Sequence, residues 1–241
     1  MTSLAIITPV GPGHEDAFNA MANASVVFAK RQVRNRTIFD RIEHVVIRDP
    51  RGLLGRCRAR NRAMAKADWA DWYFFLDADD EMHPNALSRF TADADAVFGV
   101  VSLYASPTSH TPKISKANRE IASDDWDGLL NGTVAGSLSM GAYFRGEYAR
   151  DLGWNEDLDA GEDWEFYLNY ISRHTFKKQE TVFVNIGGNW PSAGGPRGYE
   201  QLDWIACVEP LFDYWKQRGR VPPSPGERAE VAALIPQPRR K

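Results

Sequence analysis

Tyr73-Phe74-Phe75-Leu76-Asp77-Ala78-Asp79-Asp80 decides the fold of this 241-residue chain. Four apolar residues in a row, with no polar alternation, read as a strand covered on both faces, the situation of an α/β sheet. The acidic cluster begins where that strand ends, and ligands in open α/β sheets bind beyond the carboxyl ends of the strands. In an extended segment residues i and i+2 point the same way, which brings the carboxylates of Asp77 and Asp79 together. Two ionised carboxylates held close repel unless a cation or a proton lies between them, and hard divalent ions prefer oxygen ligands. From the residues alone, a solvated acidic turn that caps the next helix is an equal reading, with Asp80 serving partly as the cap.

The same alternation extends outward in both directions. Upstream, Leu4 to Thr8 reads as a buried strand closed by Pro9 and Gly11-Pro12-Gly13, and His14 to Lys30 as a helix with Phe18, Met21, Ala22 and Val26 on one face. His44 to Ile47 is a second strand and Leu54 to Lys66 a helix whose Arg56 and Arg60 share a face. Downstream, Pro84 is expected to open a helix, and Ala96 to Tyr104 to form another strand. Strand and helix alternating over a hundred residues predict a mostly parallel sheet with helices on both faces. Residues 106–131, rich in Ser, Lys, Asp and Asn, interrupt the rhythm as a long loop. It resumes with a strand at Ser139 to Phe144, helices at Glu147 to Leu152 and Trp164 to Ile171, and a strand at Thr181 to Asn185. A glycine-rich loop at Gly187 to Gly198 and a helix at Tyr199 to Lys216 follow. One domain is expected over residues 1–218, with a loosely ordered tail over 219–241 that catalysis can do without.

Bulk properties exclude several classes of function. Lys and Arg number 29 against 32 Asp and Glu, a net charge of -3, so no general bias toward nucleic acid exists. Cys57 and Cys207 are far apart and in no metal-ligand spacing, which reads as two reduced thiols in a cytoplasmic chain. The N-terminus lacks the basic region of a signal peptide, and no apolar run approaches the roughly 20 residues that cross a bilayer. Peripheral association with a membrane is compatible with this.

Three blocks then carry a resemblance. LAIITPV opens the chain at Leu4, GRCRARNRAMAKADWADWYFFLDADDEMHP begins at Gly55, and GSLSMGAYFRGEYARDLGWNEDLDAGEDWEF begins at Gly136. In this order and combination they resemble the inverting glycosyltransferases of family 2, over roughly residues 4–190. The resemblance implies a GT-A fold, a single nucleotide-binding α/β domain. It implies a nucleoside-diphosphate sugar as donor, a hydroxyl acceptor, carbohydrate or otherwise, and a Mn²⁺ or Mg²⁺ ion. It places Asp77 near the ribose or metal, Asp79 on the metal, and Asp163 of Gly161-Glu162-Asp163 as catalytic base. Arg60 falls where the family contacts nucleotide or diphosphate, and Pro9 and Asp49 near positions that border the nucleobase. Two departures stand out: Arg48-Asp49-Pro50 replaces the usual Asp-Asp-Gly-Ser run, and the loop Gly187-Gly188-Asn189-Trp190 lacks the late histidine that some relatives add to the metal. His174 precedes the last strand and is a poor substitute.

The chemistry implied needs a cation against the leaving diphosphate and a carboxylate within hydrogen-bond reach of the acceptor hydroxyl. Asp79 and Asp163 meet those needs, while Glu162 and Glu165 read as carboxylates favouring a helix N-terminus. Trp126, Trp154 and Trp164 are candidates to stack on a sugar ring, Trp154 foremost, with half-buried packing as the alternative role. Trp190 can close over the donor on its glycine hinge. Two other functions compete. A nucleotidyltransferase requires a basic glycine-rich loop after the first strand, and no Lys or Arg follows Gly11-Pro12-Gly13 before Lys30. A non-catalytic sugar- or nucleotide-binding domain of the same fold requires loss of Asp79 or Asp163, and both are present.

Overall fold

β1 (Ser3–Val10) is an inner strand of the sheet, with the edge strand β2 (Arg41–Arg48) parallel on one side and β3 (Trp72–Phe75) parallel on the other. The computed structural model describes residues 1–33, 36–103, 113–114, 122–130, 138, 141–186 and 204–237. Side chains alternate between two cores, as strand geometry requires. Leu4, Ile6, Trp72 and Phe74 enter one core, and Ala5, Ile7, Tyr73 and Phe75 the other. All four residues of β3 are buried, so the apolar run at Tyr73 reflects helices on both faces of the sheet.

The first core is closed by α1 (Glu15–Phe18), which continues through a π-helical turn at Asn19–Asn23 into α2 (Ala24–Val33). The second is closed by α3 (Gly55–Lys66), whose small residues Ala59 and Ala63 let it lie close against the strands. After β3 come β4 (Glu81–Met82) and a single helical turn, α4 (Ala86–Arg89). The helix expected to start at Pro84 is thus much reduced. Glu81 and Met82 pair with a later strand, and Phe90 turns extended and ends the helix.

Next are β5 (Ala96–Leu103), β6 (Lys113–Ile114), α5 (Trp126–Leu130), β7 (Ala142–Arg145) and α6 (Gly146–Leu152). The chain ends with α7 (Glu162–Arg173), β8 (Phe176–Ile186), α8 (Trp204–Arg218) and α9 (Pro225–Ala232). The strand order is β2-β1-β3-β7-β5-β8-β4, with β6 on β5. The α/β architecture is the expected one: β1, β2, β3, β5 and β8 run in one direction, as in a mostly parallel sheet, and β4, β6 and β7 run against them. β7 runs antiparallel between β3 and β5, and parallel pairing resumes only at β5 with β8. The alternation that predicted parallel strands comes from the first hundred residues, whereas β7 arrives from beyond them. Most of 106–131 and all of 187–198 lie outside the described residues.

The segment after Arg218 differs most from expectation. In place of a loosely ordered tail, residues 219–237 carry α9, begun by Ser224 in a reciprocal capping box with Glu227 and by Pro225 in the first turn. Val231, Ala232 and Ile235 are buried in the core that holds α3 and α7. Ion pairs Arg218–Glu227 and Arg220–Asp124 tie the segment down at its start.

Candidate active site

The parallel strands β1, β2 and β3 end at the same edge of the sheet, which gathers the first group of candidates. Pro9 is half-buried in the ladder with β2, opposite Ile47. Asp49 follows β2, and its backbone N–H donates to Val10 O at 2.8 Å, joining the two strand ends. Its carboxylate accepts the backbone N–H groups of Leu53, Leu54 and Gly55 at 2.8–3.1 Å. Asp49 therefore organises the approach to α3 and satisfies amides that a helix start leaves without partners.

Beyond β3 the acidic cluster is a turn and not an extended segment. Asp80 N–H donates to Asp77 O at 3.2 Å, so the i, i+2 argument for Asp77 and Asp79 does not apply. Asp77 keeps about a third of its side chain exposed and accepts Arg60 Nη2 on Oδ1 at 2.8 Å. Asp79 is half-buried and Asp80 buried.

Arg60 links this turn to the start of α7. It is 1% exposed, and its Nη1 donates to Glu162 Oε1 at 3.1 Å while Nη2 holds Asp77. Arg56, one helical turn earlier on the face the spacing predicted, reaches the same Glu162 oxygen at 3.3 Å. The guanidinium of Arg60 also lies 4.3 Å from the centre of the Trp154 ring. Burial opposes the charge on Arg60, but Asp77 and Glu162 outweigh it and raise its pKa further. Arg58 and Arg62 face solvent, Arg58 paired with Glu156.

Glu162 is thus the hub of a buried ion network, a role that the helix-terminus reading of the sequence missed. Only the first-turn position was visible in the sequence; the contact with Arg60 spans 102 residues. Asp163, the next residue, is half-buried and accepts the backbone N–H of Trp164 on Oδ1 at 2.8 Å. Burial, then the negative charge of Glu162, push its pKa up to about 7, against the opposing pull of the Trp164 N–H and Arg60. A carboxylate tuned to that range can take a proton at neutral pH and release it again.

The tryptophans do not take the stacking role. Trp154 is 3% exposed, its ring parallel to Phe166 at 4.3 Å and covered on the guanidinium side by Arg60. Trp164 packs edge-on to Phe212 and Trp126 edge-on to Trp215, both buried. Their packing role prevails because large aromatics fill the core between α3, α7 and α8. Trp190 lies outside the described residues. His174 stacks on Tyr148 at 4.0 Å, well engaged in packing. Cys57 is a free buried thiol whose pKa is raised by burial.

For a divalent ion, Asp77 and Asp79 offer hard oxygen donors of the right chemistry. Among the described residues no group of three or more His, Cys, Asp or Glu converges as a metal cage. The donor set fits an ion held jointly with a polyanionic ligand, such as a diphosphate, and not one enclosed by protein alone.

An α/β sheet with helices on both faces, and carboxylates at the end of β3 and at the head of α7, is the arrangement of a GT-A-type domain. The chain belongs to glycosyl transferase family 2, whose family model matches residues 35–191. The curated teichoic acid poly(glycerol phosphate) polymerase of Staphylococcus epidermidis is 25% identical over 162 residues, which make up 66% of this chain and 21% of that protein. The chain therefore spans about a fifth of the length of this relative. Among solved structures, S. aureus TarS superposes with a TM-score of 0.60 at 14% identity, over 97% of this chain and 42% of that one. Glucosyl-3-phosphoglycerate synthase from Mycobacterium tuberculosis, in complex with Mn²⁺, UDP-glucose and phosphoglyceric acid, gives 0.52 at 12% identity, over 93% and 82%. At these identities the structural likeness establishes the fold. No described helix is long and apolar enough to cross a membrane.

Proposed function

We propose that this chain is an inverting transferase that moves a sugar from a uridine diphosphate sugar to an acceptor hydroxyl, in the cytoplasm, with Asp163 as base. The observation that carries this reading is the placement of Asp163: a half-buried carboxylate with a pKa near 7, linked through Glu162 and Arg60 to Asp77 at the strand edge. The choice of uridine draws on the solved relatives, among them S. aureus TarS 1-349 in complex with UDP-GlcNAc.

In the proposed reaction the acceptor O–H gives its proton to the Asp163 carboxylate as its oxygen bonds to the anomeric carbon. The bond from that carbon to the diphosphate oxygen breaks, and the nucleoside diphosphate leaves. Attack opposite the leaving group inverts the configuration. Asp77 and Asp79 would hold a divalent ion, which supplies positive charge against the departing diphosphate. Arg60, fixed by two carboxylates and by Trp154, keeps the Asp77 turn and the head of α7 in register. Pro9 and Asp49, at the ends of β1 and β2, border the nucleobase in this reading.

The experiment is a panel of UDP-, GDP-, TDP- and CDP-sugars with Mn²⁺ or Mg²⁺, read by diphosphate release and by thermal shift. The expected result is stabilisation and turnover with UDP-sugars. No shift and no release across the whole panel would overturn the reading.

A further inference from the structure

The segment after α8 is attached at the place where the acceptor-side carboxylate is held. Arg228 of α9 is the first attachment. Its Nε and Nη2 grip both oxygens of Glu165, one turn into α7, the Nη2 contact at 2.9 Å. The remaining donors reach Leu152 O at 2.6 Å and Gly153 O at 2.8 Å, where α6 ends. Glu165 is fully buried and paired, so this is a built contact and not a surface ion pair. The sequence reading of Glu165 as an ordinary first-turn carboxylate is corrected accordingly.

Gln237 is the second attachment. Its side-chain oxygen accepts the backbone N–H groups of Asp159 at 2.7 Å and Ala160 at 3.1 Å, and its amide donates back to Ala160 O at 3.3 Å. Ile235 is the third. It is 2% exposed and lies against Gly161, which has φ +69°. A Cβ on Gly161 would come within 2.9 Å of Ile235 Cγ2, so only glycine admits this approach. Three side chains of one segment thus fix the stretch from Leu152 to Glu165 at four points, and Asp163 lies two residues from Gly161 and two from Glu165.

We infer that Arg228, Ile235 and Gln237 are positioning residues for Asp163: the C-terminal segment clasps the acceptor-side turn and fixes where its carboxylate meets the acceptor. The inference rests on Asp163 being the base. The donor edge is held by the ends of β1, β2 and β3 and by Arg60 of α3, which holds Asp77 directly and meets the clasped stretch at Glu162 and Trp154. Because the strand ends and the Arg60–Asp77 contact remain, loosening the clasp weakens the chemical step far more than nucleotide binding. It also admits water to Asp163. The charged and titratable groups around Asp163 are Glu162 beside it, Arg60 from α3, Asp77 from the β3 turn and Tyr167 one turn along α7. None of them belongs to the clasp, so its loss acts on Asp163 through solvation and position.

The test uses the full chain carrying Gln237→Ala or Ile235→Ala, with Asp163→Asn as comparator. Three quantities are read: UDP release from UDP-GlcNAc or UDP-glucose with Mn²⁺ and water as acceptor, UDP affinity, and the ¹³C-carboxyl titration of Asp163, assigned by its loss in Asp163→Asn. In both clasp variants the release rate is expected to fall roughly 10–100-fold, as for other small misplacements of a catalytic group. UDP affinity should stay within about twofold, and the Asp163 midpoint should move down toward an ordinary aspartate. Folded variants with the wild-type rate and an unmoved midpoint would overturn the clasp. So would a loss of UDP affinity matching the loss of rate. If Asp163→Asn itself retains the wild-type rate, the base assignment fails, and the midpoint in the clasp variants still decides whether the segment positions that carboxylate.

Discussion

Glu162 and Asp163 are neighbours at the head of α7, and their surroundings set them apart. Glu162 gives one oxygen to both Arg56 and Arg60, while Asp163 accepts the backbone N–H of Trp164 and has a raised pKa. Asp163→Asn keeps the shape and removes the proton acceptor, so sugar transfer should fall by roughly 10²–10⁴-fold with donor binding near normal. Retention of transfer within a few-fold of wild type would move the base to another carboxylate. The wild-type rate should depend on pH with the matching sign. The base is needed ionised, and its pKa is about 7, so activity is present above that value and is lost as pH falls through it. Glu162→Gln removes the negative neighbour and leaves Arg56 and Arg60 less neutralised. Both changes favour the ionised form of Asp163, so the acid limb of the pH–rate profile should shift to lower pH. A shift upward, or none in a folded variant, would contradict this electrostatic account. The sequence alone offered the simpler view that Glu162 serves the helix dipole, because partners 102 and 106 positions away leave no local trace.

At the scale of elements, legibility followed the range of the interactions. β1 and β3 were readable as continuous apolar runs, and α3 and α7 from helical spacing, because these signals are local. The position of β7 was not, since its antiparallel place between β3 and β5 is fixed by register across distant strands. α9 is an instructive miss: Ser224-Pro225-Gly226-Glu227 is a capping box in the sequence, yet the Pro, Arg and Glu around it read as tail composition. Its contacts give it a testable weight. Arg228→Ala leaves the Glu165 carboxylate buried without its cation, and breaking a buried pair from one side costs about 3–5 kcal/mol. Denaturant unfolding of this variant should show that loss. A change under about 1 kcal/mol would mean that Glu165 finds another partner or takes up a proton with little penalty. Ser224→Ala removes one acceptor of the capping box and should cost about 1 kcal/mol, measured in the same way.

For the whole molecule, the ligand edge is assembled from the ends of β1, β2 and β3 and from the head of α7. Asp77 and Asp79 were legible as a candidate site because an acidic cluster ends an apolar strand, and Asp163 because its block resembles the family. The turn geometry of residues 77–80 was not, since a β-turn and an extended run share the same composition. With only two carboxylates proposed for the ion, the ion and the diphosphate should bind as a unit, each completing the other's coordination. UDP and Mn²⁺ together, at about 100 times their dissociation constant, should stabilise the fold by roughly 2.7 kcal/mol. In a chain of this length that is a rise in Tm of roughly 5–10 °C. Mn²⁺ alone, or UDP with a chelator present, should give much less than the two together. Asp79→Asn should fold normally and lose most of the Mn²⁺-dependent part while keeping the metal-independent part, because only the ion's protein ligand has changed. Equal shifts for UDP with Mn²⁺ and UDP with chelator would show that the diphosphate is held by the protein's own groups, and Asp79 would lose its role as metal ligand.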